Sequence, residues 1–318
     1  MALLKKREVP VYLFKGFLDS GKTTFIRETV EEGQFEDGRK TLLIYCEEGE
    51  EELSDALLKK NKFIVETVDD EEAVDTALFA GFEKTYKPDR VIIETNGMWD
   101  AMELIQALPE EWLIAEIITT VDSTTFESYL ANMKMMMTNQ FKDADLILFN
   151  RCRDDHDRAM FKRMVRAVNR MGQVLFETTD GQVSDDAHEE PPYDINAEII
   201  EVNDDDFGIF YLDALDNLEN FKGKTVRFKG QVLHPKKAKE DVFVPGRYAM
   251  TCCAEDIAFV GFPCRYDEAA FLKNKDWIFV TAKIGSAPSR EMGGEAPVLF
   301  AKKIEPAQPA AEEIVYFN

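Results

Sequence analysis

The stretch that decides the fold is Gly16-Phe-Leu-Asp-Ser-Gly-Lys-Thr-Thr24, in a chain of 318 residues. It satisfies the pattern G-x-x-x-x-G-K-[ST] through four residues: Gly16, Gly21, Lys22 and Thr23. The glycines of this pattern let backbone N–H groups close around phosphate oxygens. An apolar run from Val11 to Phe14 precedes the pattern, and a helix is predicted from Thr23 to Glu31. This context predicts a P-loop and disfavours the alternative, a turn that holds no ligand.

Each residue type in the predicted loop has a chemical task. Lys22 is expected to neutralise the β and γ phosphates of a nucleotide, and Thr23 to place its hydroxyl on Mg²⁺. The helix that follows would aim its positive N-terminus at the same anion. The other residues predicted to line the nucleotide site are Asp19, Ser20 and Thr24.

Short apolar runs alternate with amphipathic stretches from residue 9 to about residue 180. Seven runs are predicted to be strands: Val9 to Phe14, Thr41 to Tyr45, Lys62 to Glu66, Arg90 to Ile93, Ala115 to Val121, Leu146 to Phe149 and Val174 to Phe176. Alternation of this kind is typical of βαβ units around a buried parallel sheet. The predicted class is therefore α/β, with a P-loop domain over residues 1–180 and a mostly parallel sheet.

The remainder of the chain has a different pattern. Residues 181–196 are polar and acidic and contain a Pro pair, which predicts an exposed linker. A helix near Phe207 to Leu218 then precedes five predicted strands: Thr225 to Leu233, Arg247 to Cys252, Ile257 to Phe262, Trp277 to Ile284 and Pro297 to Ile304. Five strands with little helix predict a small OB-like barrel over residues 197–306. Residues 307–318 are predicted to be a tail.

Composition narrows the range of partners. The chain has 61 acidic and 38 basic residues, a formal charge of -23, which would repel nucleic acid and anionic lipid. Such a charge also serves simple solubility. The sequence offers no uninterrupted apolar stretch of about 18 residues and no signal peptide at its start, so we expect a cytoplasmic protein without direct membrane insertion. The oligomeric state is left open, a homo-oligomer included.

A second acidic position is suggested by Arg90-Val-Ile-Ile-Glu-Thr-Asn-Gly97. Glu94 would stand at the C-terminal end of a buried strand, where open α/β sheets bind ligands. It is predicted to reach Mg²⁺ through water or to orient the attacking water. The alternative is that Glu94 caps the next helix.

The P-loop stretch, followed by Glu-Thr-Asn-Gly97, closely resembles the CobW-like branch of the CobW/HypB/UreG GTPase family over residues 9–180. The family's order of short motifs also matches at Val121-Asp122, Gln140 and Ala144-Asp145. The resemblance implies a metallochaperone-like GTPase that binds GTP and Mg²⁺. It also implies a client metalloprotein or a metal-transport component as partner. Glu47, in Cys46-Glu-Glu-Gly-Glu50, resembles a catalytic switch acid, with a solvated acidic loop as the alternative.

Two departures from the family pattern concern its metal and its base. The Cys-x-Cys-Cys motif expected near residues 64–70 is absent from the sequence. The guanine signature Asn-Lys-x-Asp becomes Asn150-Arg-Cys-Arg153, followed by Asp154. Arg153 has only donors, so Asn150 and, after a local shift, Asp154 are the predicted guanine-binding residues. The alternatives are a nucleotide-binding regulatory or scaffold protein without turnover, and a P-loop ATPase with a separate substrate.

The C-terminal part resembles the C-terminal domain of YcgQ-type proteins. The resemblance lies in Gly223-Lys-Thr-Val-Arg-Phe-Lys-Gly230 and in Gly246-Arg-Tyr-Ala-Met-Thr-Cys-Cys-Ala-Glu-Asp256. It implies an association with zinc-responsive operons and permease partners. Three cysteines, Cys252, Cys253 and Cys264, are candidate Zn²⁺ ligands because thiolates suit soft or borderline metals. The fourth ligand is left open among Asp256, His234, Glu255 and a partner protein, and the alternative is a buried, inert set of thiols.

Overall fold

The computed structural model describes residues 7–47, 49, 51–187, 191–236, 238–251, 256–289 and 292–317. The chain divides into two compact units. Unit 1 comprises Met1–Arg158 and Val168–Asp186, and unit 2 comprises Ala159–Ala167 and Ala187–Asn318. Among the described helices, none has the length and apolar character needed to cross a bilayer.

Unit 1 alternates strands and helices along most of its length. Its elements are β1 (Val9–Lys15), α1 (Lys22–Glu31), β2 (Thr41–Tyr45), α2 (Asp55–Lys60), β3 (Phe63–Thr67), α3 (Thr76–Tyr86), β4 (Arg90–Glu94), α4 (Ala101–Ala107), β5 (Trp112–Asp122), α5 (Phe126–Asn132), α6 (Lys134–Phe141) and β6 (Leu146–Cys152). The helix α7 (Arg158–Val168) follows, and all but its two end residues group with unit 2. The last strands of unit 1 are β7 (Gln173–Thr178) and β8 (Val183–Ser184).

The strands of unit 1 form one sheet in the order β3-β2-β4-β1-β5-β6-β7-β8. All neighbours are parallel except β7 and β8. The prediction of an α/β domain with a mostly parallel sheet is confirmed. Strand β1 lies between β4 and β5, and Phe14 is in register with Glu94. The loop after β1 and the carboxylate that ends β4 therefore lie at the same edge of the sheet.

Helix α1 is held against this sheet by its apolar side. Ile26 and Val30 are fully buried and pack with Phe14, Leu43 and Ile92. Burying an aliphatic side chain of this size stabilises a fold by roughly 1.5–3 kcal/mol. The packing fixes the start of α1, and with it the loop that leads into the helix.

Unit 2 is rich in strands. After α7 its elements are β9 (Ile200–Glu201), α8 (Phe207–Asp216), α9 (Leu218–Phe221), β10 (Thr225–Leu233), β11 (Val242–Ala249), β12 (Ala258–Gly261), β13 (Cys264–Arg265), β14 (Trp277–Ser289), β15 (Gly294–Pro306) and β16 (Ile314–Val315). Five of the strands pair in a closed ring, β10-β11-β13-β15-β14 and back to β10. Only the β13–β15 pair in this ring is parallel. The predicted small barrel of OB type is therefore present.

The last described residues are part of this barrel unit, although the sequence suggests a tail. β16 pairs in parallel with β11, and Val315 and Phe317 are buried in the core of unit 2. The Arg247 guanidinium donates to the carbonyl of Glu312. The sequence signal was weak because the apolar residues that anchor the segment are few and follow a polar run containing Pro and Ala.

Candidate functional site

The loop between β1 and α1 depends on two glycines in left-handed conformations. Gly16 has a φ of 135° and Gly21 a φ of 95°. A Cβ at Gly16 would lie 2.4 Å from the Thr120 carbonyl oxygen, and one at Gly21 would lie 2.4 Å from Asn150 Nδ2. Side chains are excluded at both positions by backbone angle and by space. The loop ends at Gly21, directly before α1. The first N–H groups of this helix have no acceptor within the helix.

Lys22 is buried at the start of α1, with 3% of its surface exposed. Its Nζ donates to the carbonyls of Gly16 and Phe17, each at 3.0 Å. It also donates to Glu47 Oε2 at 2.8 Å. The structure thus brings together two of the three predicted catalytic residues, Lys22 and Glu47. A phosphate that reached Lys22 would compete with the Glu47 carboxylate for the same ammonium group.

Thr23 and Glu94 form the neighbouring pair. Thr23 Oγ1 lies 2.8 Å from Glu94 Oε1 and 3.1 Å from Oε2, and the hydroxyl donates to the carboxylate. Burial raises the pKa of the Glu94 carboxyl above its ordinary value, while the Lys22 charge and the Thr23 hydrogen bond oppose that shift. The helix that follows β4 is capped by Asp100, which accepts from Met102 N at 2.8 Å. The alternative role of Glu94 as the cap of that helix is therefore wrong.

The remaining loop residues are placed differently from one another. Ser20 is buried, and its Oγ lies 2.9 Å from Thr120 Oγ1 on β5. Asp19 is exposed with a φ of 60°, and its carbonyl accepts from Arg151. Thr24 is partly buried in the first turn of α1. Of these side chains, Ser20 serves to fix the loop to the sheet.

Asn150 connects the loop to β6. Its Nδ2 donates to the Ser20 carbonyl at 2.7 Å. Its Oδ1 is buried and has no hydrogen-bond partner among the described residues. An unpaired buried acceptor next to the loop is costly for the fold and available to a ligand donor.

The predicted guanine acid, Asp154, lies in an exposed turn after β6. The neighbouring Arg153 is paired with Asp155 at 3.0 Å. The hydrogen bonds found within the described part of the chain do not connect Asp154 to the loop. Its role in base recognition stays a prediction.

Arg151 is a further residue at this loop, which the sequence motifs do not assign to the site. Its Nη1 donates to the Asp19 carbonyl at 2.9 Å and also pairs with the Asp122 carboxylate. Burial would raise the pKa of Asp122, but hydrogen bonds from Thr124 and Arg151 hold it below its ordinary value. The signal was present in the sequence, because a basic residue follows Asn150 where the family signature has Lys.

A second missed feature is the loop that follows β4. A Cβ at Gly97 would lie 2.5 Å from the Gly16 carbonyl oxygen and 2.6 Å from Phe17 Cα. The Gly97 carbonyl accepts from Gln140 Nε2 at 2.9 Å. The chain after Glu94 therefore contacts the loop between β1 and α1 at Gly16 and Phe17.

The cysteines do not come together as a site in the described structure. Cys264 is fully buried in the barrel core, and burial raises the pKa of its thiol to about 12. The pair Cys252 and Cys253, with Glu255, lies outside the described residues. No group of three or more His, Cys, Asp or Glu side chains within the described ranges is arranged to hold a metal. The environment of Cys264 fits the alternative of an inert, buried thiol.

Comparison with known proteins gives a family match for each half of the chain. Residues 10–176 match the nucleotide-binding domain of CobW/HypB/UreG, and residues 177–317 match the DUF1980 C-terminal domain. No curated protein matches the chain.

Solved structures that match part of the chain include a GTPase and metal-bound proteins. A zinc-bound triple mutant of the YjiA GTPase is 19% identical, with a TM-score of 0.43 over 71% of this chain and 74% of that one. HypB from Archaeoglobus fulgidus is 17% identical, with a TM-score of 0.38 over 54% and 82% of the two chains. HypB from Helicobacter pylori, in complex with nickel, is 12% identical, with a TM-score of 0.32 over 54% and 80%. The match to the nucleotide-binding domain covers more than half of the sequence and agrees with the resemblance of the P-loop stretch. This chain therefore belongs to the CobW/HypB/UreG family.

Proposed function

We propose that the protein is a Mg²⁺-dependent GTPase that hydrolyses GTP to GDP and phosphate. The observation that carries this proposal is the convergence of Lys22, Thr23, Glu47 and Glu94 at one edge of the sheet, beside a loop that tolerates only glycine at two positions. A catalytic site for phosphoryl transfer needs positioning and positive charge more than a covalent nucleophile. Lys22 supplies the positive charge, and the contacts among the four residues supply the positioning.

The residues act on the γ phosphate in distinct ways. Lys22 exchanges Glu47 for the β and γ phosphate oxygens, and the N–H groups of the loop bind the same anion. Thr23 and Glu94 would hold Mg²⁺ through the oxygen ligands that this ion prefers, and the ion would supply charge neutralisation at the β and γ phosphates. Glu47, released from Lys22, orients the water that attacks the γ phosphorus. The bond from phosphorus to the bridging oxygen then breaks, and GDP leaves.

Guanine as the base is supported by family membership and by the acceptor Asn150 Oδ1, which can meet a donor of the ligand. The second candidate function is binding of a nucleotide without turnover, by a regulatory or scaffold protein. It is favoured by Arg153, which stands where the signature has an acid and is paired with Asp155. A P-loop ATPase with a separate substrate is the third candidate.

Family membership also supports a role in metal homeostasis. We propose that the hydrolysis cycle controls delivery of zinc or another metal to a client metalloprotein or a metal-transport component in the cytoplasm. The charge of -23 supports a partner other than nucleic acid. Thiolates of the Cys252 and Cys253 pair are the proposed metal ligands of the C-terminal domain. If a Cys252→Ser, Cys253→Ser variant kept the zinc affinity of the unaltered protein, these two cysteines would be ruled out as ligands.

The test is a competition of GTP and ATP, each with Mg²⁺, against a fluorescent guanine nucleotide on the full-length protein, followed by phosphate release. We expect GTP to displace the probe preferentially and to be hydrolysed. Lys22→Ala should lower turnover at least a hundredfold, because the ammonium group at the phosphates is lost. The matched control is Lys59→Ala, at an exposed lysine of α2, which should leave turnover unchanged.

The outcomes separate the three candidates. Displacement by GTP without phosphate release would support the regulatory protein. Equal or better displacement by ATP would overturn guanine selectivity and support the ATPase. Undiminished hydrolysis by the Lys22→Ala protein would overturn the proposed active site.

A further inference from the structure

A cavity of about 320 Å³ lies in unit 1 beside, but apart from, the phosphate loop. It is lined by Lys15, the loop after β4 and parts of α4 and α6, and its lining includes none of the residues from Phe17 to Thr24. Its size is at the lower end of the range for small-molecule sites. Three of its lining residues, Gly97, Gln140 and Lys15, adjoin the phosphate loop.

The most unusual group in this cavity is the ammonium of Lys15. Only 6% of Lys15 is exposed, although it is a lysine at the end of a central strand. Its Nζ donates to the carbonyls of Asn139 at 3.1 Å and Lys142 at 3.0 Å. An ammonium group has three N–H donors, and the third has no acceptor among the described residues.

The charge state of Lys15 favours an anionic partner. Burial lowers the pKa of Lys15 to about 8, and the charges of Asp143 and Asp100 oppose that shift. The group is therefore still mostly protonated at neutral pH, with neutral carbonyls as its direct partners. A carboxylate on the third donor would form a charge-assisted hydrogen bond, which is roughly twice as strong as a neutral one.

Two acidic residues of the cavity carry the charge opposite to that of Lys15. Asp100 and Asp143 are exposed and line its mouth, where they would attract a cation. One Asp100 oxygen caps α4, and the charges of Asp143 and Asp100 both oppose the lowering of the Lys15 pKa by burial. The lining also includes apolar and thioether side chains: Trp99, Met102, Ile105 and Met136.

We propose that this cavity binds a small amino-carboxylate zwitterion, an amino acid or short peptide with an apolar side chain. Its carboxylate pairs with the free N–H of Lys15, and its ammonium group pairs with Asp143 and Asp100 at the mouth. The apolar side chain packs against Trp99 and the methionines, which adapt readily to different shapes. This site is separate from the proposed nucleotide chemistry and does not depend on it.

The experiment measures binding to the nucleotide-free, full-length protein by calorimetry and by tryptophan fluorescence. The probes are L-phenylalanine and L-methionine, with hydrocinnamate as the analogue without the amine and phenethylamine as the analogue without the carboxylate. We expect the zwitterions to bind most tightly, hydrocinnamate less tightly and phenethylamine least. Because no GTP is present, failure of the GTPase proposal would leave this measurement unaffected.

Two variants assign the contacts. Lys15→Met keeps the length of the side chain and removes the charge, and it should weaken zwitterion binding at least about tenfold. Lys84→Met, at an exposed lysine of α3, is the control and should change nothing. Asp143→Asn, at an exposed position, should bring the affinity for L-phenylalanine down to that for hydrocinnamate. A melting curve by circular dichroism shows whether each variant is folded.

Three results would overturn the proposal. The first is the absence of binding of every probe up to about 10 mM, the weakest range such an assay resolves. The second is undiminished binding by folded Lys15→Met protein. The third is equal affinity for L-phenylalanine and hydrocinnamate in the unaltered protein, which would contradict a role for the carboxylates at the mouth. If Lys15→Met does not fold, the Asp143→Asn comparison decides alone.

Discussion

At the scale of single residues, Glu94 is a carboxylic acid buried at the end of a strand. Only 4% of Glu94 is exposed, and its carboxylate accepts a hydrogen bond from Thr23. The pKa of this carboxyl is raised, first by burial and further by the charge of Glu47, against the effects of Lys22 and Thr23. A magnesium site requires the ionised carboxylate. Burial in the folded protein disfavours this ionised form of Glu94.

The change Glu94→Gln therefore has opposite effects on stability and on chemistry. Since the folded-state pKa is raised, Glu94 contributes stability that is fully present below the unfolded-state pKa and is lost as pH rises through the folded-state value. The glutamine keeps the shape and avoids that loss. We expect its melting temperature to exceed that of the unaltered protein at pH 8 but to be equal or lower at pH 4, while Mg²⁺-dependent turnover falls at least tenfold.

Melting curves across this pH range check the expectation. Glu52→Gln, at an exposed acidic residue, is the control and should show no such pH-dependent difference. A lower melting temperature of the Glu94→Gln protein at pH 8 would contradict the assignment of burial as the main influence on this carboxyl.

The residues of the candidate site were predictable to the extent that a sequence pattern names them. Lys22, Thr23, Glu47 and Glu94 follow from motif and position on a strand, and the structure places them in direct contact as two pairs. Arg151 was missed, because its bond to the Asp19 carbonyl depends on the folded approach of β6 to the loop. The sequence marks a basic residue after Asn150, but not its partner, because a pairing between residues more than a hundred positions apart has no local sequence signal.

At the scale of elements, two loops share the space at the carboxyl edge of the sheet. The loop after β4 touches the loop after β1 at Gly97, whose absent side chain permits the contact with Gly16 and Phe17. Gln140, on α6, holds the Gly97 carbonyl from the other side. The position of one loop therefore fixes the position of the other.

The change Gly97→Ala tests this contact. A Cβ would meet backbone atoms at 2.5 and 2.6 Å, which neither loop can avoid without moving. We expect a loss of about 1–3 kcal/mol in unfolding free energy and at least tenfold weaker nucleotide binding. Chemical denaturation and probe titration measure both.

Gly81 is the matched control for that substitution. It lies within α3 and would have no heavy atom within 4 Å of an added Cβ. Gly81→Ala should stabilise the protein by about 0.5–1 kcal/mol, because alanine favours a helix over glycine. Equal effects of the two changes would contradict a specific contact at Gly97.

Strands β1 to β7 were predictable within a few residues because each contains a short, continuous apolar run. β8 (Val183–Ser184) was not, because its two residues lie in the polar stretch predicted as a linker. The barrel strands were harder. β14 and β15 each run for 13 residues, whereas the sequence predicted shorter strands that end near Ile284 and begin at Pro297. Gly285 and Pro288 resemble turn signals, yet they pair with Val298 and Glu295 in an extended hairpin. Tertiary pairing overrides local preference at such positions.

At the scale of the whole molecule, the final residues contribute to the core of unit 2. Phe317 is 5% exposed in that core, and β16 adds to the β11 edge. We expect Phe317→Ala to lower the unfolding free energy of this unit by about 3–5 kcal/mol, the usual cost of removing a buried phenylalanine. Phe271→Ala should have no effect, because Phe271 is 84% exposed.

Calorimetry of the full chain checks this, because two units can show separate transitions. The transition of unit 2 should shift and that of unit 1 should stay. A melting profile unchanged by Phe317→Ala would show that the segment is not part of the stable core.

The division of the chain into two units also determines which truncations of the protein contain a complete unit. Unit 2 includes Ala159–Ala167, and this segment precedes the last part of unit 1, Val168–Asp186, in the chain. An open reading frame that starts at Ala187 therefore omits Arg166, whose guanidinium lies 3.2 Å from Asp216. No single cut in the coding sequence yields the C-terminal unit free of unit 1 residues, and domain-swap chimaeras with a junction in the acidic linker would inherit only part of it.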